Sequence, residues 1–586
     1  MFRSTRIRTV ALFTAAFVVV GIVQPALASN GFHFAVLSDR TGGHVEGVYP
    51  RVIEEIARLN PDFVVTVGDQ IEGYTDDMVR ANAEWDTIVA FLDGLDCPVY
   101  LTAGNHDIWS DDSEQIYRDR TGYSPYYSFD HGNAHFVVLD NSRVESWSDV
   151  GPEQLQWLRA DLDAASDAEH VFVFAHKPLW TQTLALGLND PLHDILAAHA
   201  VDVHFTGHVH LYFSAEYDGV NYISMGSSGG AMMSSEHSTT RGEFFQFGWV
   251  TVEDDYEVAV VELGAVHGPD VSTVAVQEEI RRAESEYVRA EPIVLSDGDS
   301  VDDDITVIVE NHSSMPINDA ISWAVPEGWT VDPLSVPLMV EPGATAEFVF
   351  RGTTRGRLFP APSFSVSYPL SDGREVRASG RPRIIRVAEA VRLRSRPTMD
   401  GQVSESCWKG ATVEREFFSD EGPPGVEGAS EFRFAYDKSD LYVSVVCHDP
   451  GIEDLAAAVE ERDGAVYGED CVGFFIQPDL DETTVYQIYV NPSGVIFDQQ
   501  ITFDETMWYT THVDWNGDIE TVTDVRGEAW GVEIRVPFAE LGLDGPPDAV
   551  GLNFRRKQPA GWPPADWQVP IDYDPNTFGR LRFERS

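Results

Sequence analysis

Pro61-Asp62-Phe63-Val64-Val65-Thr66-Val67-Gly68-Asp69 is a short apolar, β-branched run that ends, through one glycine, on a carboxylate. A run of this length bounded by turn residues reads as a strand buried on both faces. The same phrase recurs. Phe32 to Leu37 leads through Ser38 to Asp39, and Pro98 to Thr102 leads to Ala103-Gly104-Asn105-His106-Asp107. Val171 to Phe174 leads through Ala175 to His176, and Val203 to Phe205 leads to Thr206-Gly207-His208-Val209-His210. Phe136 to Leu139 also reads as a strand, and amphipathic stretches at Val52 to Leu59, Glu153 to Ala164 and Pro191 to Ala198 read as helices. This is α/β patterning, in which parallel strands place their C-terminal ends on one edge and let such residues converge on a single cleft. The glycines before Asp69, Asn105 and His208 are expected to let the backbone turn sharply there.

One Asp after a strand is often only a helix cap, and one His is more often a satisfied polar residue than a ligand. Five strands ending in carboxylate, amide or imidazole point instead to a metal centre. Oxygen and imidazole donors without thiolates suit Mn, Zn, Fe, Co or Ni. A binuclear centre needs a bridging carboxylate and ligands on either side, and its metal-bound hydroxide serves as nucleophile at neutral pH.

Gly68-Asp69, Gly104-Asn105-His106-Asp107, His176 and Gly207-His208-Val209-His210 together resemble the metallophosphoesterases of the calcineurin and purple acid phosphatase superfamily, over about residues 30 to 265. The resemblance implies a phosphohydrolase that cleaves phosphate mono- or diesters with two divalent or trivalent metal ions, Mn, Zn or Fe. It makes Asp69 the bridging ligand, Asp39 and His210 ligands of the first metal, and Asn105, His176 and His208 ligands of the second. It makes His106 a residue that assists the departure of the leaving group or stabilises the transition state. The first motif departs from the family's Asp-x-His, because Thr41 stands where histidine is expected in Asp39-Arg40-Thr41-Gly42-Gly43-His44. Glu72, three residues after Asp69, then has two readings: a ligand of the first metal, or a carboxylate that orients His106. His44 reads as a surface histidine. Arg40 has two readings as well, a group that neutralises bound phosphate or a structural ion pair. Tyr74 and Trp109 either line the pocket or pack the core.

Tyr222 to Met225, Phe245 to Val252 and Glu257 to Leu263 suggest antiparallel strands added to this domain, and the charged stretch Val276 to Tyr287 reads as a closing helix. From about Pro292 to Ile385 only alternating strand patterns remain, separated by Gly, Pro, Asn and Asp turns. Pro326-Glu327-Gly328-Trp329 and Pro342-Gly343 resemble the alpha-galactosidase-associated immunoglobulin-like modules, which implies a spacer. From Val387 onward, Phe434-Ala435-Tyr436-Asp437, Glu469-Asp470-Cys471-Val472, Asn491-Pro492-Ser493-Gly494 and Trp530-Gly531-Val532-Glu533-Ile534 resemble the family 9 carbohydrate-binding module. That resemblance implies sugar binding by stacked aromatic rings, with Trp508, Trp515, Trp562 and Trp567 as candidates. The expected fold class is therefore multidomain: an α/β metallophosphoesterase sandwich at 29–287, an immunoglobulin-like β-sandwich at 288–386 and a second β-sandwich at 387–586.

Arg3, Arg6 and Arg8, the apolar run from Val10 to Val23 and Ala26-Leu27-Ala28 read as a signal peptide over residues 1–28. A secreted, periplasmic or extracellular protein with no membrane contact after cleavage is expected. The net charge of -56, from 96 acidic and 40 basic residues, opposes nucleic acid as a general partner. The expected partners are a small phosphoester and a carbohydrate. Cys97, Cys407, Cys447 and Cys471 match no zinc-knuckle spacing, and Cys97 reads as a buried hydrophobe. The competing reading is a non-catalytic surface or polysaccharide-binding protein with a degenerate metal site; a pyrophosphate-bond hydrolase is a third.

Overall fold

The computed structural model describes residues 31–583 apart from 148, 233–236, 296–299, 403–405, 420–423, 504–508, 560 and 570–572. The signal-peptide reading and Trp508 lie outside the described residues, as do the side chains of Cys407 and Trp562. The chain divides into two compact units, at Arg282 and Ala283.

In the first unit the strands run in the order β1 (Phe32–Leu37), β2 (Phe63–Thr66), β3 (Val99–Tyr100), β4 (Tyr127–His131), β5 (Ala134–Val138), β6 (His170–Phe174), β7 (Val203–Thr206), β8 (Phe213–Tyr217), β9 (Val220–Ser224), β10 (Gln246–Val252), β11 (Tyr256–Glu262) and β12 (Ala265–His267). Helices α1 (Val48–Leu59), α2 (Met78–Leu92), α3 (Asp111–Thr121), α4 (Pro152–Ala164), α5 (Pro191–Ala198) and α6 (Val274–Arg282) complete it. The strands form two six-stranded sheets, β12-β11-β10-β1-β2-β3 and β4-β5-β6-β7-β9-β8. Within them β1, β2 and β3 run parallel, as do β5, β6, β7 and β9. The ligand-bearing strands are thus split between two sheets, and the cleft lies where two sheet edges meet.

The sheets face each other across an aromatic core. Phe34 stacks on Phe63 at 5.2 Å and meets Phe136 of the opposite sheet edge-on at 5.3 Å. Each such buried ring contributes about 1.5–3 kcal/mol. The outer faces are covered by helices. Tyr49, Val52, Ile53 and Ile56 form the buried stripe of α1 at i, i+3, i+4 and i+7, against Ala35 and Leu37. Helices α4 and α5 bury Leu158, Leu162, Ile195 and Leu196 against β5 and β6. The result is a helix–sheet–sheet–helix sandwich. The expected closing helix is α6, which passes into one π-helical turn at Ala283–Tyr287.

The second unit is sheet-rich. Residues 288–380 form two four-stranded sheets, one holding Ser300–Glu310 against Thr345–Arg355, the other Ile317–Ala324 between Ser335–Val340 and Ser363–Pro369. Trp323 joins them, with Phe350 at 5.3 Å and Phe364 at 5.1 Å. From Val387 onward one continuous twelve-stranded sheet encloses a large core, with smaller clusters beside it. Trp567 belongs to that core rather than to a sugar-binding face: it is fully buried, stacked on Phe554 at 4.9 Å. Trp515 is half-buried beside Tyr486, 4.7 Å away, and packs against the same core. Cys97 is half-buried rather than fully enclosed, and Cys447 and Cys471 are buried free thiols. Among the described residues no helix is long and apolar enough to cross a membrane.

Candidate metal centre

Asp39 follows β1, Asp69 follows β2, Asn105 and His106 follow β3, His176 follows β6, and His208 and His210 follow β7. The loops that carry them are stitched to one another through the same side chains. The His106 amide donates to Asp69 Oδ1 at 2.9 Å, and the His208 amide to Asp39 Oδ1 at 2.9 Å. Arg40 and Thr41 donate their amides to the Asp69 carbonyl at 3.0 and 3.2 Å.

Asp69, His176 and His208 each offer a ligand atom, all within 4.8 Å of one another. His176 Nε2 stands 3.2 Å from Asp69 Oδ2, 2.9 Å from Asn105 Oδ1 and 3.2 Å from His208 Nδ1. His210 Nε2 lies 3.6 Å from Asp39 Oδ1. His176 Nδ1 donates to the Val67 carbonyl at 2.8 Å, and His210 Nδ1 donates to the Ala231 carbonyl. Such main-chain acceptors fix the tautomer and leave Nε2 for coordination. All six expected ligands therefore meet in one place. The oxygen and imidazole donor set, with its ring nitrogens turned inward, fits a divalent metal.

Burial and the charges of their neighbours set the protonation of these groups. Burial alone would raise the Asp69 carboxyl, but His176 beside it brings it down to about 2. Burial opposes charge on His176, yet Asp69 and Asp39 outweigh it and lift the imidazole to about 9. Burial and the neighbouring His176 push His208 down to about 3, which keeps its lone pair free. Burial raises Asp39.

Backbone strain is concentrated here. Asp69 (φ 55), His208 (φ 72) and His210 (φ 52) sit in the left-handed region, as does Tyr74 (φ 44). Of the three glycines expected to supply the turns, Gly68 alone has positive φ, and the ligands themselves take the strained conformation. Gly104 is needed for space: a Cβ there would stand 2.1 Å from Asp69 Oδ1.

Glu72 makes two different contacts at the site. Its carboxylate faces His44, whose Nδ1 is 2.7 Å from Oε1. His106 Nδ1 donates instead to the Glu72 main-chain carbonyl at 2.6 Å. The expected orienting carboxylate is thus a peptide oxygen, because the sharp turn after Asp69 brings the backbone, and not the side chain, over the imidazole. Burial would raise the Glu72 carboxyl; Thr41 and His44 beside it hold it down to about 2. His44 is exposed, as a surface histidine should be. Arg40 Nη1 donates to the Gln70 carbonyl at 3.2 Å, and among the described residues no carboxylate pairs with it. Tyr74 lies at the site, its hydroxyl 3.1 Å from Asn105 Nδ2. Trp109 packs on the local core and meets the Tyr74 ring at 6.0 Å.

Two buried residues brace the ligands without having been singled out in the sequence. Asp107 accepts from the Gln70 amide at 2.9 Å and the Gly104 amide at 2.9 Å, locking the second and third loops together. Burial and nearby Asp69 raise its carboxyl to about 7. Asn141 Oδ1 accepts from the amides of His176 and Lys177 at 3.1 and 3.0 Å, while its Nδ2 donates to the Lys177 carbonyl at 2.8 Å. The signal for Asn141 was present, since it too follows a buried parallel strand, β5.

Residues 32–212 match the family model described as calcineurin-like phosphoesterase, and residues 399–562 the one described as carbohydrate family 9 binding domain-like. Purple acid phosphatase 13 of Arabidopsis thaliana is 28% identical over 183 residues, 26% of this chain and 33% of that one. The chain spans about a third of the length of the curated relatives it matches. Among solved structures, a dimetal phosphatase from Danio rerio aligns at 18% identity and a TM-score of 0.31, over 41% of this chain and 96% of its own. A carbohydrate binding module family 9 protein from Caldicellulosiruptor kristjanssonii, solved with cellotriose, aligns at 17% identity and a TM-score of 0.25, over 34% and 95%. The chain carries a calcineurin-like phosphoesterase domain and, after it, a carbohydrate family 9 binding domain-like domain.

Proposed function

We propose that the first domain hydrolyses phosphate mono- or diesters with the help of two metal ions held by the ligands above. The observation that carries the reading is the meeting of Asp69, His176 and His208 within 4.8 Å, with the Asp39–His210 pair joined to them through the His208 amide. Asp69 would bridge the two ions. Asn105, His176 and His208 would hold one ion; Asp39 and His210 would hold the other. Bound metal supplies Lewis acidity, which activates water and offsets charge on the phosphoryl oxygens. His106 has its Nδ1–H committed to the Glu72 carbonyl, so Nε2 is the nitrogen that exchanges a proton with the leaving oxygen. Arg40, anchored beside Asp39, is positioned to add positive charge for phosphate.

The limits 29–287, 288–386 and 387–586 are proposed for the three domains, the middle one as an immunoglobulin-like spacer. The last would bind carbohydrate. The mature protein is placed outside the cytoplasm, after removal of residues 1–28.

A single observation favours the non-catalytic alternative. With Glu72 turned to His44 and threonine at position 41, the Asp39–His210 side has fewer donors than the other. Hydrolysis of p-nitrophenyl phosphate and its bis-ester with Mn, Zn and Fe decides between them. The expected result is metal-activated turnover, lost with metal content in Asp69→Asn. Absence of turnover with every metal, and unchanged metal content in D69N, would sink the hydrolase reading.

A further inference from the structure

Tyr74 is unusual among the residues around the centre. The residue is 58% exposed, although it sits beside a buried candidate ligand cluster. Its φ of 44 is one that an L-residue adopts only at a cost, and it shares this strain with Asp69, His208 and His210. Three contacts hold the ring in that position. Its edge meets His106 at 4.9 Å and 79°, Trp109 lies tilted at 6.0 Å, and its hydroxyl accepts from Asn105 Nδ2 at 3.1 Å. One side of the phenol is thus fixed by His106, Trp109 and Asn105, while much of its surface remains open to solvent.

We infer that Tyr74, backed by Trp109, is a ring-binding subsite for the leaving group, and that the preferred substrates are phosphoesters whose alcohol carries a ring with a face to stack on it. This rests on the hydrolase reading above. A leaving group on the oxygen served by His106 passes next to the residue that touches His106, and that residue offers an aromatic face. Stacking there orders the departing alcohol against the proton-exchanging nitrogen. Aromatic and pyranose rings both present a face suited to such a platform. The Tyr74 hydroxyl plays a separate part, because by accepting from Nδ2 it turns the Asn105 Oδ1 toward His176.

Benzyl phosphate, glucose 6-phosphate and ethyl phosphate test this, because all three are esters of primary alcohols and differ chiefly in the ring. Wild type should favour one or both ring esters over ethyl phosphate in kcat/KM; the better one identifies the ring as aromatic or pyranose. Tyr74→Asn removes the ring while tolerating left-handed φ. It should lower the ring-to-ethyl ratio about tenfold, mainly through KM. Tyr74→Phe should keep that ratio and instead weaken metal retention. Trp109→Leu, which leaves Tyr74 in place, should lower the ratio in the same direction. Equal kcat/KM for the three esters, or an equal loss on all of them in Y74N, overturns the subsite alone. No turnover of any ester by metal-loaded wild type overturns the hydrolase reading, and the subsite with it.

Discussion

Adding one methyl group at Gly104 should dismantle the centre while leaving the fold standing. A Cβ on this residue would lie 2.1 Å from Asp69 Oδ1, 2.4 Å from the Asp69 amide nitrogen and 2.9 Å from Asp69 Cγ. Ordinary contact begins at 3.4 Å, so the carboxylate or the loop must retreat by about 1.3 Å. The loop is poorly placed to do so, because the Gly104 amide is tied to buried Asp107 at 2.9 Å. The Asp69 backbone must therefore shift together with its carboxylate, and with them the proposed bridge between the two donor sets. A misplacement of about 1 Å costs about a hundredfold in rate. Overpacking of this kind costs about 1–3 kcal/mol, which for a unit of this size lowers the unfolding midpoint by about 2–12 °C. Gly104→Ala should thus unfold cooperatively, bind less than its full complement of metal by elemental analysis, and lose about two orders of magnitude in kcat/KM on p-nitrophenyl phosphate. Gly468→Ala is the control, since nothing lies within 4 Å of its added methyl and its φ is ordinary. Wild-type metal content and rate in Gly104→Ala would refute the argument that Asp69 is held by this contact.

Glu72→Gln should keep both metals and lose less than about threefold in rate, because His106 is held by the main-chain carbonyl and the carboxylate faces His44; loss of one metal on elemental analysis would restore Glu72 as a ligand. His135 donates to Asp130 at 2.7 Å and to Asp161 at 2.9 Å, and although burial opposes its charge, these two carboxylates raise its pKa. A raised imidazole stabilises the fold fully below its unfolded value of about 6.5 and stops doing so as pH rises through the folded value. The gap in unfolding midpoint between wild type and His135→Gln should accordingly be widest near pH 6 and shrink toward pH 9; a gap that widens with pH contradicts the ion pairs. Trp567→Ala should cost about 3–5 kcal/mol, since the ring is fully buried against Phe554, and calorimetry showing an unchanged midpoint with lost sugar binding would return it to the binding face.

The candidate ligand residues stood out because each follows a short run of apolar residues, and burial on both faces writes itself into the chain as such a run. That pattern was enough for the parallel strands β1, β2, β3, β6 and β7, and for the polar residue waiting at each end. It does not say which sheet a strand joins, so the split of the ligands between two sheets came from the tertiary structure. Nor does it say which atom of a residue is used. Glu72 acts on His106 through its carbonyl and on His44 through its carboxylate, a choice made by the turn geometry after Asp69. Asp107 grips amides 37 residues back along the chain, and Asn141 grips those of residues 35 and 36 positions ahead. Trp567 and Trp515 read alike in sequence, yet one is core and the other half-buried. Composition and local periodicity record how much of a segment is buried; the direction of each side chain depends on partners dozens of residues away.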